Sequence, residues 1–211
     1  MPFETNVFIN CPFDNDYTSL LRPMAFTIVY LDYEPNISQT LSSSNIRIDQ
    51  IKKHIKVCKY SIHDLSRCKA QLHGELPRFN MPFELGLDIG ANEYGSKKLK
   101  SKKILILESE KYHYQKVLSD ISGQDIEDHK DDPLTLILKV RNWFSNIAKE
   151  KVLVGHKRIW FHYNEFLEDL TKELSRTYTK VDIENMPIGD FIKYSKDWIN
   201  MVGGSELSLF T

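Results

Sequence analysis

The chain has 211 residues, a length that fits one sizeable domain or one domain with an appendage. Apolar residues make up 41% of it and charged residues 27%, which excludes a disordered or collagen-like polypeptide. With 28 basic residues against 29 acidic ones there is no global field to draw in nucleic acid or an anionic membrane surface, so neither is an expected partner.

Along the first 154 residues short apolar runs alternate with amphipathic segments, the pattern of a parallel sheet with crossover helices. Val7-Phe8-Ile9 predicts a buried strand, and Asn10-Cys11-Pro12-Phe13-Asp14-Asn15-Asp16 a loop, because proline and Asx residues favour turns. Tyr17 to Leu31 follows as a helix, apolar enough from Met24 onward to be buried, with Pro23 either kinking it or marking a late start. Tyr33 to Ile37 is expected as a second strand, which Pro35 makes either an edge strand or an irregular one. After a Ser42 to Asn45 loop, Ile46, Ile48, Ile51 and Ile55 have the spacing of an amphipathic helix ending near Lys59. Tyr60 to Ser66 is a third strand, and a loop from Arg67 to Phe79 leads to a helix capped by Asn80, with Pro82 in its first turn. Ile104-Leu105-Ile106-Leu107 is the clearest strand, after a basic run, Lys97 to Lys103, expected to be solvated. Tyr112 to Ile121 is predicted as a short helix, Gln124 to His129 as a last strand, and Pro133 to Lys149 as a helix offering Leu134, Leu138, Val140 and Trp143 to the core.

These elements add up to an open parallel sheet of about five strands flanked by helices, over residues 1–154. From 155 to 211 the pattern changes to two helices, Ile159 to Leu174 and Pro187 to Val202, a helical appendage expected to pack on the sheet; the aromatic Arg158 to Tyr163 stretch belongs to its packed face. No run approaches 18 apolar residues, the N-terminal segment lacks the pattern of a secretory signal, and Cys11, Cys58 and Cys68 lack paired CxxC spacing. A cytoplasmic protein without a disulfide framework or a zinc site is expected.

Open parallel sheets bind ligands at the carboxyl ends of their strands. Three segments meet there: Asn10 to Asp16, His63 to Arg67, and Asn80 to Asp88. The third places Glu84 and Asp88 at i and i+4, on one helix face between Phe83 and Leu87 on one side and Leu85 and Ile89 on the other. Desolvation there raises a carboxyl pKa while the helix N-terminus favours the anion. The competing reading makes Glu84 a first-turn acid and Asp88 a solvated one. Gly86 and Gly90, opposite Glu84, are expected to let the helix approach the sheet. Of the neighbours His63 and Asp64 only one can face the pocket, and Asp64 is favoured. Cys11 reads as a small buried thiol rather than a nucleophile. Backbone N–H groups of Cys11 and of Phe13 to Asp16 can receive phosphate, and Phe13 either stacks on a base or anchors its loop.

Val7-Phe8-Ile9-Asn10 with its polar loop, Tyr60 to Ser66, and the helix bearing Phe83-Glu84-Leu85-Gly86 before a Lys-rich turn and an aliphatic strand together resemble the TIR domain. They resemble equally the nucleoside 2-deoxyribosyltransferases, over roughly residues 5 to 130. The resemblance implies a flavodoxin-like fold in which Glu84 attacks or cleaves an N-glycosidic bond. It further implies that Asp64 orients the substrate, with Asn10, Cys11, Pro12, Phe13, Asp14, Ser66, Asn80 and Asp88 around it. No cofactor is implied, since NAD or a related nucleotide or nucleoside is the substrate or ligand. The implied setting is bacterial anti-phage defence, with a homo-oligomer, a partner protein, and NAD cleaved or cyclised. The alternative is a nucleotide sensor or self-assembling module with the same fold. The sequence departs from both families, having Leu76-Pro77-Arg78-Phe79-Asn80 where the transferases carry an aspartate and Gly-Thr, and Met81-Pro82-Phe83 where TIR enzymes often carry tryptophan.

Overall fold

In the computed structural model, residues 2–38, 46–68, 76–112, 114–116, 118–121, 123–147 and 152–206 are described; the Ser42 to Asn45 loop and the central part of the Arg67 to Phe79 loop lie outside them. β1 (Asn6–Asn10) and β3 (Tyr60–Asp64) are buried at every residue, as strands covered on both faces must be. With β2 (Glu34–Ile37), β4 (Lys103–Glu108) and β5 (Glu127–Asp128) they form one all-parallel sheet in the order β2-β1-β3-β4-β5, a flavodoxin-like α/β architecture. Pro35, which has no N–H to give to a ladder, sits on the edge strand β2.

α2 (Arg47–Val57) and α3 (Asn80–Tyr94) cover one face, packing Ile51, Ile55 and Cys58 on Phe8, and Met81 and Leu85 on Leu65 and Ile106. α1 (Thr18–Tyr30) and α4 (Pro133–Ile147) contribute to the largest core cluster together with β1, and α5 (His156–Leu174) and α7 (Ile188–Glu206) join the same cluster. α1 therefore has apolar neighbours on several sides, which is why its sequence is apolar nearly all round. Phe26 lies 5.4 Å from both Tyr163 and Phe166 and 6.2 Å from Trp198, ring centroid to ring centroid. Arg22 donates to the carbonyls of Ile183, Glu184 and Met186, covering the end of the short helix α6 (Lys180–Glu184), and lies 5.0 Å over Phe191. Among the described residues no helix is long and apolar enough to cross a membrane.

Pro23 lies inside α1, which runs on through it. Asp32, at φ 73°, turns the chain out of α1: the N–H of Tyr33 bonds the carbonyl of Ile28 in a Schellman arrangement. Several expectations need correction. Asn80 is not the cap of α3 but its first residue, exposed; Phe79 occupies the cap, its carbonyl accepting from Phe83, and no side chain closes that end. Tyr112 to Ile121 is not an α-helix: Tyr112 is left-handed at φ 67°, and two 3-10 turns, Tyr114–Lys116 and Ser119–Ile121, follow. The last strand is reduced to two residues, since only Glu127 and Asp128 pair with β4. α4 buries Leu136, Ile137, Val140 and Phe144, one continuous stripe, while Leu134, Leu138 and Trp143 flank it half-buried. Gly86 and Gly90 do not mediate close packing, because a Cβ built on either meets nothing within 4 Å.

Gly86→Ala is accordingly expected to stabilise the protein by about 0.5–1 kcal/mol, since alanine restricts the unfolded chain and fits the helix without strain. Urea denaturation checks it, and an unchanged or lower midpoint refutes the open surroundings of Gly86.

Candidate active site

β1 connects through α1 to β2 on one side, while β3 lies on its other side, so the chain parts at the carboxyl ends of β1 and β3, where Asn10 pairs in register with His63. Such a switch point leaves a crevice. The loop after β1, the residues after β3 and the first turns of α3 converge there.

Glu84 lies beyond the first turn of α3 and is 4% exposed. Burial pushes its carboxyl above the ordinary value, opposed by the charge of Arg47. Arg47, the first residue of α2, holds Nη2 3.7 Å from Glu84 Oε1 and its guanidinium carbon 5.3 Å from the ring centre of Phe13. Next to Phe13, Asp14 accepts the Tyr17 N–H at 3.0 Å through Oδ1 and faces Arg78 Nη1 at 3.1 Å and Arg67 Nε at 3.5 Å through Oδ2. Among the described residues, the guanidinium groups of Arg47, Arg67 and Arg78 thus meet the carboxylates of Glu84 and Asp14 at this end of the sheet. Pro12 is buried, as is Cys11, whose thiol is pushed well above its usual range by burial and by Asp64, Asp14 and Glu84; it is no thiolate nucleophile at neutral pH.

The two other predicted carboxylates are spent within the protein. Asp88 is fully buried, 3.0 Å from His63 Nε2 and 3.2 Å from Lys102 Nζ. The Asn10 amide nitrogen lies 3.1 Å from the Met81 carbonyl and 2.9 Å from His63 Nδ1, so Nδ1 accepts and the ring proton is on Nε2, directed at Asp88. Asn10 Oδ1 is left as a buried acceptor with no hydrogen-bond partner among the described residues. Lys102 also donates to the carbonyls of Ile55 and Cys58, capping the C-terminus of α2. It is therefore not part of a solvated basic run. Burial raises the Asp88 carboxyl, but His63 and Lys102 outweigh it and hold the group below its usual value.

Asp64 projects to the other side of β3, as alternation requires, and is fully buried rather than open to a ligand. It accepts from Tyr17 Oη at 2.5 Å, from the Ser66 N–H and hydroxyl, and from His129 Nε2 at 2.9 Å. The N–H of Asp131 donates to His129 Nδ1 at 3.1 Å, which places the proton of the neutral ring on Nε2, facing Asp64. Burial opposes both charges, yet the His129 contact holds Asp64 below its usual value and the Asp64 contact lifts His129 above its own.

These shifts set a pH window. The depressed Asp64 contributes stability that is present above its unfolded value, near 3.9, and lost as pH falls through the folded one. The raised His129 contributes stability that is full below about 6.5 and lost as pH rises through the folded value. His129→Gln is expected to abolish the alkaline decline and leave part of the acid one. Denaturant midpoints from pH 3 to pH 9 check this, and parallel wild-type and variant curves overturn it.

The structure brings Cys11, Phe13, Asp14 and Glu84 into one neighbourhood, with Asn10 beside the start of α3, and diverts Asp64, Ser66 and Asp88 into buried networks; Asn80 is exposed and bonds nothing through its side chain among the described residues. Sequence reasoning missed Arg47, Arg78, His129 and Lys102. Arg47 opens an ordinary amphipathic helix, and Lys102 is one lysine of a run, so neither carried a local signal. Among the described residues no group of three or more His, Cys, Asp or Glu side chains is disposed to hold a metal ion. Comparison with protein-family models, with curated proteins and with solved structures gives no match for this chain.

Proposed function

We propose that the protein is an N-glycosidase that breaks the base–ribose bond of NAD or a related nucleotide, with Glu84 as nucleophile or electrostatic stabiliser. The observation that carries the reading is a nearly buried carboxylate, raised by desolvation, at the switch point of an open parallel sheet. In the reaction the C1′–N bond breaks with its electron pair going to the base, and the sugar passes through an oxocarbenium-like centre. An anion in a poorly solvated site stabilises that centre far more than one in water, or traps it as an ester that water then opens, releasing one proton. No cofactor is needed for this step.

In this reading the unpartnered buried Asn10 Oδ1 accepts from a ribose hydroxyl once the ligand enters, and the exposed Phe13 ring stacks on the base. Asp64 and Ser66 act from behind, fixing Tyr17 and the end of β3 as positioning residues. Homo-oligomerisation fits the exposure of Leu76, Phe79 and Phe83 beside the start of α3, and a defence setting with a partner protein remains part of the proposal. A sensor is the second reading, favoured by the Arg47 guanidinium that closes over Glu84. The test is base release, followed by chromatography, from NAD and a panel of nucleosides at low and high protein concentration. Release identifies the bond. Saturable nucleotide binding without release at any concentration selects the sensor.

A further inference from the structure

Arg47 and Arg78 have side chains 44% and 50% exposed, and both lean on neighbouring residues of one loop, Arg47 on Phe13 and Arg78 on Asp14. Their present partners are imperfect. The 3.7 Å separation of Arg47 from Glu84 is too long for a hydrogen bond, and Asp14 divides one oxygen between Arg78 and Arg67. A guanidinium is a planar fork that matches two oxygens of a phosphate, a better partner than one distant carboxylate oxygen. Among the described residues, Arg47 and Arg78 meet carboxylates only through these contacts, Glu84 at 3.7 Å and Asp14 at 3.1 Å, and each keeps about half of its side chain open to solvent.

We infer that Arg47 and Arg78 form a phosphate-binding pair and that Arg47 is a gate, which a phosphate on the ligand draws away from Glu84. The inference rests on the reading of Glu84 as the catalytic group. It narrows the substrate class to phosphate-bearing nucleotides. A free nucleoside offers nothing to compete for Arg47, so Glu84 stays paired and its face toward the sugar stays covered. A nucleotide brings the competing anion with it, and binding itself uncovers Glu84. Among the described residues it is the Arg47 charge that counteracts the effect of burial on Glu84, so its departure leaves a higher-energy anion with more to gain from a developing cation. No bond is made or broken in the gating step.

The first arm of the test uses inorganic pyrophosphate as probe, titrated calorimetrically into the full chain. Arg47→Gln and Arg78→Gln are each expected to weaken it by about 10-fold or more, as loss of a charge-assisted hydrogen bond implies, while Lys157→Gln on α5 leaves it unchanged. The second arm compares base release from NAD and from nicotinamide riboside. Wild type prefers NAD, and Arg47→Gln is expected to erase that preference by raising riboside turnover relative to NAD. Arg47 is exposed enough that the variants fold, which circular dichroism verifies. Equal pyrophosphate affinity in wild type and Arg47→Gln overturns the proposal. Arginine-dependent pyrophosphate binding with no base release from any substrate keeps the phosphate pair but removes the gate and the glycosidase reading together. Base release with an unaltered NAD preference in Arg47→Gln removes the gate alone.

Discussion

Glu84→Gln is expected to lower kcat for base release by at least ~10²–10³, the loss seen when a group that stabilises developing charge is removed from a preorganised site. Glutamine keeps the volume and one oxygen of glutamate, so substrate binding is expected to persist and the loss to fall on kcat rather than KM. The fold is expected to be unharmed, for a reason the carboxyl's environment supplies. Its pKa is raised in the folded state, so the native protein binds this proton more tightly than the unfolded chain does. Ionised Glu84 therefore opposes folding at neutral pH, and the penalty fades as pH falls toward the unfolded value. Glutamine carries no such penalty, and the lost ion pair is long and half-exposed on the arginine side. The melting temperature of the variant at pH 7 should equal or exceed that of wild type, with the difference vanishing near pH 4. A Tm lower by more than about 5 °C, about 1–2.5 kcal/mol for a chain of this size, would identify Glu84 as structural support instead.

The largest effect on stability is expected one turn further along the same helix face. Asp88→Ala leaves the Lys102 ammonium in the interior with carbonyls but no counter-charge, and Lys102→Ala leaves the buried Asp88 with the His63 N–H but no lysine counter-charge and uncaps α2. Breaking one partner of a buried pair costs about 3–5 kcal/mol, a large fraction of what holds a domain together. The cost of burying the charges in the first place is what makes the remedy informative. Asp88→Leu combined with Lys102→Met removes both charges at similar volume and should recover most of the loss, leaving only the α2 carbonyls and His63 Nε2 without partners. Denaturant unfolding of the singles and the double closes the cycle. If the singles lose under about 1 kcal/mol, or the double loses their sum, the pair is not coupled as the 3.2 Å contact implies.

Neither network disturbs the elements that were legible in the chain. Val7 to Ile9, Tyr60 to Ser66 and Ile104 to Leu107 correspond to β1, β3 and β4, and Pro35 to an edge strand; the two C-terminal helices lie within a few residues of their predicted spans. The predicted Tyr112 to Ile121 helix failed, because Tyr114 is ordered by entering a small cluster with Leu65, Met81 and Ile126 and not by a repeating pattern, while the last strand was placed correctly but is shorter than predicted.

Within the site, the pairing of Glu84 with Asp88 on one buried face of α3 was readable, since both follow from 3.6-residue periodicity. Their different fates were not. Asp88 meets His63 and Lys102, and Glu84 meets Arg47, only once α2 and the end of the Lys97 to Lys103 run have been laid beside α3. The alternation of β3 dictated that His63 and Asp64 diverge, yet it did not reveal that Tyr17, Ser66 and His129 would occupy Asp64 completely. By itself the sequence determined which segments are strands and helices and which of their faces turn inward, because the exchange of water for apolar neighbours is written residue by residue in local periodicity. The tertiary structure decided which carboxylate is left for chemistry, because the pairing of a buried charge depends on distant side chains reaching it, and no local pattern encodes their arrival.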